Sequence, residues 1–210
     1  MIPSGDTLLL FAAAAMALIV VPGPAVLYIV AQSIDRGRLA GVVSALGVAV
    51  GGLVHVTAAT IGLSSLLVSS ATAFSVVKYA GAAYLIALGV YTLVRPRRVE
   101  PPVARPQRRL SRRFLQGVVV NVLNPKTALF FLAFLPQFVD PERGHISLQL
   151  AVLGLTFVGL AVLSDSVWAL AAGTVSERLR GNRRFLAVQR YVSGSVFTGL
   201  GALTATAKRY

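Results

Sequence analysis

The chain has 210 residues, of which 56% are hydrophobic and 13% charged, and its mean hydropathy is +0.75. A soluble domain of this length cannot hide that much apolar surface, so the composition points to an all-α, polytopic membrane protein. Cysteine is absent, which excludes a disulfide framework, a thiolate metal site and a redox CxxC pair. The net charge is +13, and its placement says more than its sum.

In chain order, "MIPSGDTLLL" holds no Lys or Arg, and the apolar run behind it is too long for a signal-peptide core, so it reads as a retained first span. Residues 7–34 are uncharged, ample for a span of about 20 residues. Residues 39–94 carry only Lys78 and a possible charge on His55, which suits two helices joined at "VSSATAFS" (68–75). The stretch "RPRRVEPPVARPQRRLSRR" (95–113), with eight Arg, one Glu and four Pro, reads as an exposed loop that buries nothing. Residues 114–139 and 146–176 make spans four and five. The basic segment "ERLRGNRRFLAVQR" (177–190) precedes a sixth, roughly 191–207.

The loops on one side of this arrangement hold fifteen Lys and Arg, against four on the other. Positive loops stay cytoplasmic, so both termini are expected to face outward. That makes the 95–113 loop a topology anchor ahead of a lipid or nucleic-acid site. No aromatic residues are interleaved in it for base stacking, and no nucleic-acid partner is expected. Arg outnumbers Lys 17 to 3, which fits a bacterium with a GC-rich genome.

Six spans divide into residues 1–94 as a first three-helix repeat, the 95–113 cytoplasmic loop, and residues 114–210 as a second. A three-span unit inserts upside down when repeated, and matching breaks are found. Span one contains "VPGPAVLYIV" (21–30) and span four "LNPKTALFFLAFL" (123–135). Paired breaks of this kind mark an inverted-repeat transporter. Pro22 and Pro24 remove the amide donors that the carbonyls of Leu18 and Val20 need, and Pro125 does the same to Asn121. Free carbonyls survive in hydrocarbon only where protein or a water-filled cavity supplies partners. Each break also opens a half-helix N-terminus that favours anions, so two facing breaks suit a carboxylate; the bland alternative is a kink.

Three ionisable residues fall inside spans, where a charge costs on the order of 3 kcal/mol. Lys126 follows Pro125 directly, and its charge opposes the local helix dipole unless an anion shares the site. Substrate contact, an ion pair with Asp165 and a structural role are its three readings. Asp165, deep in span five, suits exchange of a proton for a substrate ammonium, or a structural hydrogen bond. His55 lies about as far into span two as Asp165 into span five, each within roughly 5–8 Å of the midplane at 1.5 Å per residue. It is a second candidate for proton coupling, or a structural donor. "GVAVG" (47–51) permits close helix approach, inside the bundle or at a homodimer seam.

The segments "PGPAVLYIV", "ALGVAVGGLVHVTAATIGLSSLL" (45–67), "VVKYAGAAYLIALGVYTL" (76–93) and "GVVVNVLNPKTALFFLAFLPQFVDP" (117–141) together resemble the LysE/RhtB family of bacterial amino-acid exporters, over nearly the whole chain. The resemblance implies an inner-membrane secondary transporter that exports amino acids, coupled to the proton motive force. Its motifs fall on Pro22, Gly23, Pro24, Asn124, Pro125 and Lys126, and Asp165 falls in "LSDSVWAL", where many members carry an acid. No cofactor is implied; the partners are an amino-acid substrate and the lipid bilayer. With one intramembrane carboxylate, a neutral amino acid is favoured over a dicationic one. The alternatives are an exporter of inorganic ions or other small metabolites on the same fold, and a non-transporting scaffold. An enzyme is not expected, for no nucleophile–base set or HExxH motif occurs.

Overall fold

The computed structural model describes residues 2–63 and 109–174, with single positions between 76 and 94 and between 191 and 202. The described residues are helical, with no strand among them. Most of the third and sixth predicted spans, most of the 95–113 loop and the 177–190 segment lie outside the described residues. Val76, Tyr79, Val90, Tyr91 and Val94 are described; each is helical and exposed.

Helix α1 (Gly5–Val20) starts under a Ser4 cap, whose hydroxyl accepts from the Thr7 amide at 3.2 Å. It stops because Pro22 and Pro24 withdraw two amides, and α2 (Pro24–Arg36) leaves the break at 53°. After a turn at Gly37, α3 (Arg38–Ala58) runs on through a π-helical turn, Ala59–Leu63. Helix α4 (Leu110–Val122) ends ahead of Pro125. The chain then resumes at 44° in α5 (Pro125–Leu129), which is prolonged by a π turn (Phe130–Phe134) and a 3-10 turn (Leu135–Phe138). Helix α6 (Ile146–Thr174) is unbroken. A broken helix followed by a long straight one thus occurs twice. Arg38–Gly62 and Ile146–Thr174 are long and apolar enough to cross a membrane, and the two bent pairs bring the candidates to four among the described residues.

One boundary differs from the sequence reading. Helix α4 begins at Leu110, four residues before the apolar run, and Arg113 is buried within it. The stretch 110–113 is therefore not the exposed loop that its charge suggested. An arginine can enter a helix wall when its guanidinium finds an acceptor, here the Gln32 side-chain oxygen.

Glycine sets the packing. The α3–α4 seam pairs Gly47 with Phe114, Gly51 with Val118 and Asn121, and Gly117 with Ser44. From Gly47–Phe114 through Gly51–Val118 to His55–Asn121 both residue numbers rise together, so α3 and α4 run parallel. Against α6 the pairs are Arg38 with Gly173, Gly41 with Ala169, Gly52 with Val158 and Val56 with Gly154, an antiparallel contact. The "GVAVG" face is thus spent inside the bundle, and this motif is not a dimer seam. A Cβ on Gly47 would lie 2.1 Å from the Phe114 carbonyl oxygen, backbone that cannot give way. Gly47→Val is accordingly expected to destabilise by about 3 kcal/mol, read as loss of monodisperse protein and a lower thermal midpoint in detergent. An unchanged midpoint would show that the seam is looser than drawn.

The main core lies where α1, the 130–138 segment and the first half of α6 meet. Phe11 packs edge-on to Phe138 at 5.2 Å, and Phe130 stacks on Phe157 at 4.7 Å.

Candidate functional site

The two breaks face each other. Lys126, second residue of α5, does not point along its own helix but crosses to the first break. Its ammonium donates to the carbonyls of Leu18 at 2.7 Å and Val21 at 2.6 Å. Leu18 is a carbonyl that the prolines were expected to free. The second acceptor is Val21 rather than Val20, because the extended backbone at Val21 ends the helix there. The dipole conflict expected of a lysine at a helix start is resolved the same way: the charge sits at the negative C-terminal end of α1.

Gly23 makes this reach possible. A Cβ there would lie 2.9 Å from Lys126 Cδ. With the ammonium held by two carbonyls, the lysine stem has little room to move aside. Pro22, Gly23 and Pro24 therefore have distinct tasks. The prolines free the carbonyls, and the glycine leaves the groove through which the lysine arrives.

The second break is held by a buried amide network. Asn124 caps α5, its side-chain oxygen accepting from the Lys126 amide at 3.1 Å. Its side-chain nitrogen donates to Thr127 Oγ1 at 3.0 Å and Asn121 Oδ1 at 3.3 Å. Thr127 donates to Asn121 Oδ1 at 3.0 Å, and Asn121 Nδ2 donates to the Val48 carbonyl at 2.7 Å. The Asn121 carbonyl, freed by Pro125, accepts from the Asn124 amide at 3.0 Å and from His55 Nε2 at 2.9 Å. A carbonyl has no proton to give, so His55 must carry its hydrogen on Nε2. Each break thus has its exposed carbonyl capped by a basic side chain from another segment, Lys126 at the first and His55 at the second.

The sequence reading did not assign Asn121 or Thr127 to this site. The available signal was the spacing N-x-x-N-P-K-T, which puts two amides and a hydroxyl around one helix start. His55→Leu leaves the Asn121 carbonyl with one donor and is expected to cost about 1 kcal/mol. His55→Gln, which keeps a donor, should recover most of it in a thermal-unfolding assay; equal losses would mean that packing, not the hydrogen bond, is what His55 supplies.

Asp165 projects from α6 and is 5% exposed. Its charge and that of Lys126 act on each other through space, while the lysine's hydrogen bonds run to the carbonyls. Among the described residues, none donates a hydrogen bond to the Asp165 carboxylate. His55 and Asp165 stand apart: α3 and α6 are antiparallel, with Val56 beside Gly154 and Gly41 beside Ala169, so the two residues sit at different levels of the bundle.

A model of the LysE type translocator family matches residues 16–208. The chain belongs to that family. Like other LysE-type translocators it is a membrane transporter and not an enzyme. It is 29% identical to the homoserine/homoserine lactone efflux protein of Salmonella typhimurium over 187 residues, which cover 89% of this chain and 90% of that protein. The homoserine/homoserine lactone efflux protein of Salmonella typhi matches at the same identity and coverage. An uncharacterized membrane protein of Vibrio cholerae is 30% identical over 189 residues, 89% of this chain and 90% of its own length. No solved structure matches this LysE-type chain at a significant level.

Proposed function

We propose that this LysE-type translocator exports amino acids across the bacterial inner membrane, with neutral amino acids favoured and efflux coupled to protons. The observation that carries the reading is the reach of Lys126 from the second break to the carbonyls of the first, with the charge of Asp165 acting on it through space. The two breaks then form one midplane site with a cation, a carboxylate and an open helix start. Of the two half-helix starts, that of α5 is capped by Asn124, whereas that of α2 has no side-chain cap. The first-turn amides of α2, at Ala25 and Val26, are the natural place for a substrate carboxylate. Asp165 takes the ammonium, or a proton when the substrate has left. His55 acts as cap of the second break, and its loss is then felt in stability first.

Alternating access by two inverted repeats is supported by the helix directions. Helices α3 and α4 run parallel, as they do if an odd number of crossings separates them. The pairing of α2 with α3 across the Gly37 turn then makes the two broken spans antiparallel. The names of the two Salmonella relatives favour a neutral amino acid, since homoserine is one. The experiment is to load cells with a panel of dipeptides, with and without this protein, and follow which free amino acids appear outside. Faster release of one or a few neutral amino acids is expected. A well-expressed protein that moves none of them would overturn the substrate class and turn the search to inorganic ions and other metabolites.

A further inference from the structure

A groove of about 650 Å³ opens between α2 and α4, away from the breaks. Its polar wall is made by Tyr28, Gln32 and Asp35 on α2 and by Arg112, Arg113 and Gln116 on α4. We infer that this groove is a cytoplasmic loading site that takes a zwitterionic amino acid before it reaches the breaks, an inference that rests on the exporter reading above.

Four observations carry it. The first is position. On α2, Tyr28, Gln32 and Asp35 fall on successive turns of one face, so the groove runs along α2 from Tyr28, about one turn past the uncapped helix start, to a mouth about 10 Å away at 1.5 Å per residue. Arg36, Arg112 and Arg113 surround that mouth, which by the distribution of positive charge is the cytoplasmic end. The second is asymmetry. At the opposite end the matching half-helices, α1 and the 130–138 segment, are closed by Phe11, Phe130, Phe134 and Phe138. Among the described residues, the groove is the open side of the seam.

The third is charge. A carboxylate on the α2 wall and guanidinium groups on the α4 wall match the two ends of an α-amino acid. A crevice built only for lipid tails needs neither, and Asp35 would repel an anionic headgroup. The fourth is construction. Arg113 is 5% exposed, its guanidinium donates to Gln32 Oε1, and its carbonyl accepts from the Tyr28 hydroxyl at 2.7 Å. The α2–α4 seam is therefore held in register by buried polar contacts. Asp35 and Arg112 are exposed at the mouth, which suits a site that collects substrate rather than one that retains it.

The test is amino-acid transport in proteoliposomes of known orientation, with substrate supplied at either face, for the wild type and the variants Asp35→Asn and Arg112→Gln. Both positions are exposed, so folding should be kept. Each variant is expected to raise the half-saturating concentration at the cytoplasmic face about fivefold, the effect of one exposed charge-assisted contact, and to leave the outer-face value unchanged. A merely structural role would move both faces together, and that outcome overturns the proposal. So does a wild-type flux whose half-saturation neither variant moves. Half-saturations that stay fixed while activity loses its dependence on phosphatidylglycerol content would reassign the groove to lipid. Absence of any amino-acid flux in the wild type overturns the exporter reading, and the loading site with it.

Discussion

Lys126→Met is expected to stop efflux and to destabilise the protein at the same time. The variant keeps most of the buried stem but removes the donor shared by the carbonyls of Leu18 and Val21. Each carbonyl left without a partner inside the bundle costs about 1–3 kcal/mol, so the pair amounts to about 2–6 kcal/mol. The thermal midpoint in detergent should fall by about 5 °C or more. Transport fails for a second reason: without the lysine, α1 and α5 are no longer joined across the breaks, and the site loses its positive charge. Lys126→Arg should not rescue, because a planar guanidinium must pass Gly23 where the lysine stem already lies close. A Lys126→Met protein whose midpoint is unchanged would mean that the carbonyls find partners without it, and the break would have to be reinterpreted as self-sufficient.

Asp165→Asn separates the two effects. It is expected to lower efflux by about a hundredfold, equivalent to about 3 kcal/mol on the limiting step, while the thermal midpoint stays within about 2 °C of the wild type or rises. A buried carboxylate is expensive to hold charged, and no described residue hydrogen-bonds to this one. Its neutral isostere should therefore be tolerated in the fold and fail only in transport. Efflux by Asp165→Asn close to the wild-type rate would move proton and ammonium handling elsewhere. If both predictions hold, Lys126 is an architectural residue of the site and Asp165 a working one, although the sequence presents them as a similar pair of buried charges.

Much of the architecture was legible because membrane solvation leaves few choices. Long uncharged runs must be helices, since hydrocarbon offers the backbone no other partner. That alone locates Ile146–Thr174 to within two residues of its apolar limits, and the start of Arg38–Gly62 to within one. Proline removes a donor wherever it stands, so the breaks at Pro22–Pro24 and at Pro125 and the freed carbonyls of Leu18 and Asn121 could be read directly. What could not be read was who would answer those carbonyls. Lys126 lies 108 residues from Leu18, and His55 lies 66 from Asn121. Each contact depends on how glycine lets helices approach, a three-dimensional matter. The same limit hid Arg113, whose charge spoke for a loop until the Gln32 oxygen across the α2–α4 seam gave it a buried partner. The sequence by itself determined a membrane-spanning, helix-broken chain with three intramembrane ionisable groups. Only the tertiary structure decided that the lysine caps one break and the histidine the other, because a hydrogen bond's partner is a property of distance in space and not of position along the chain.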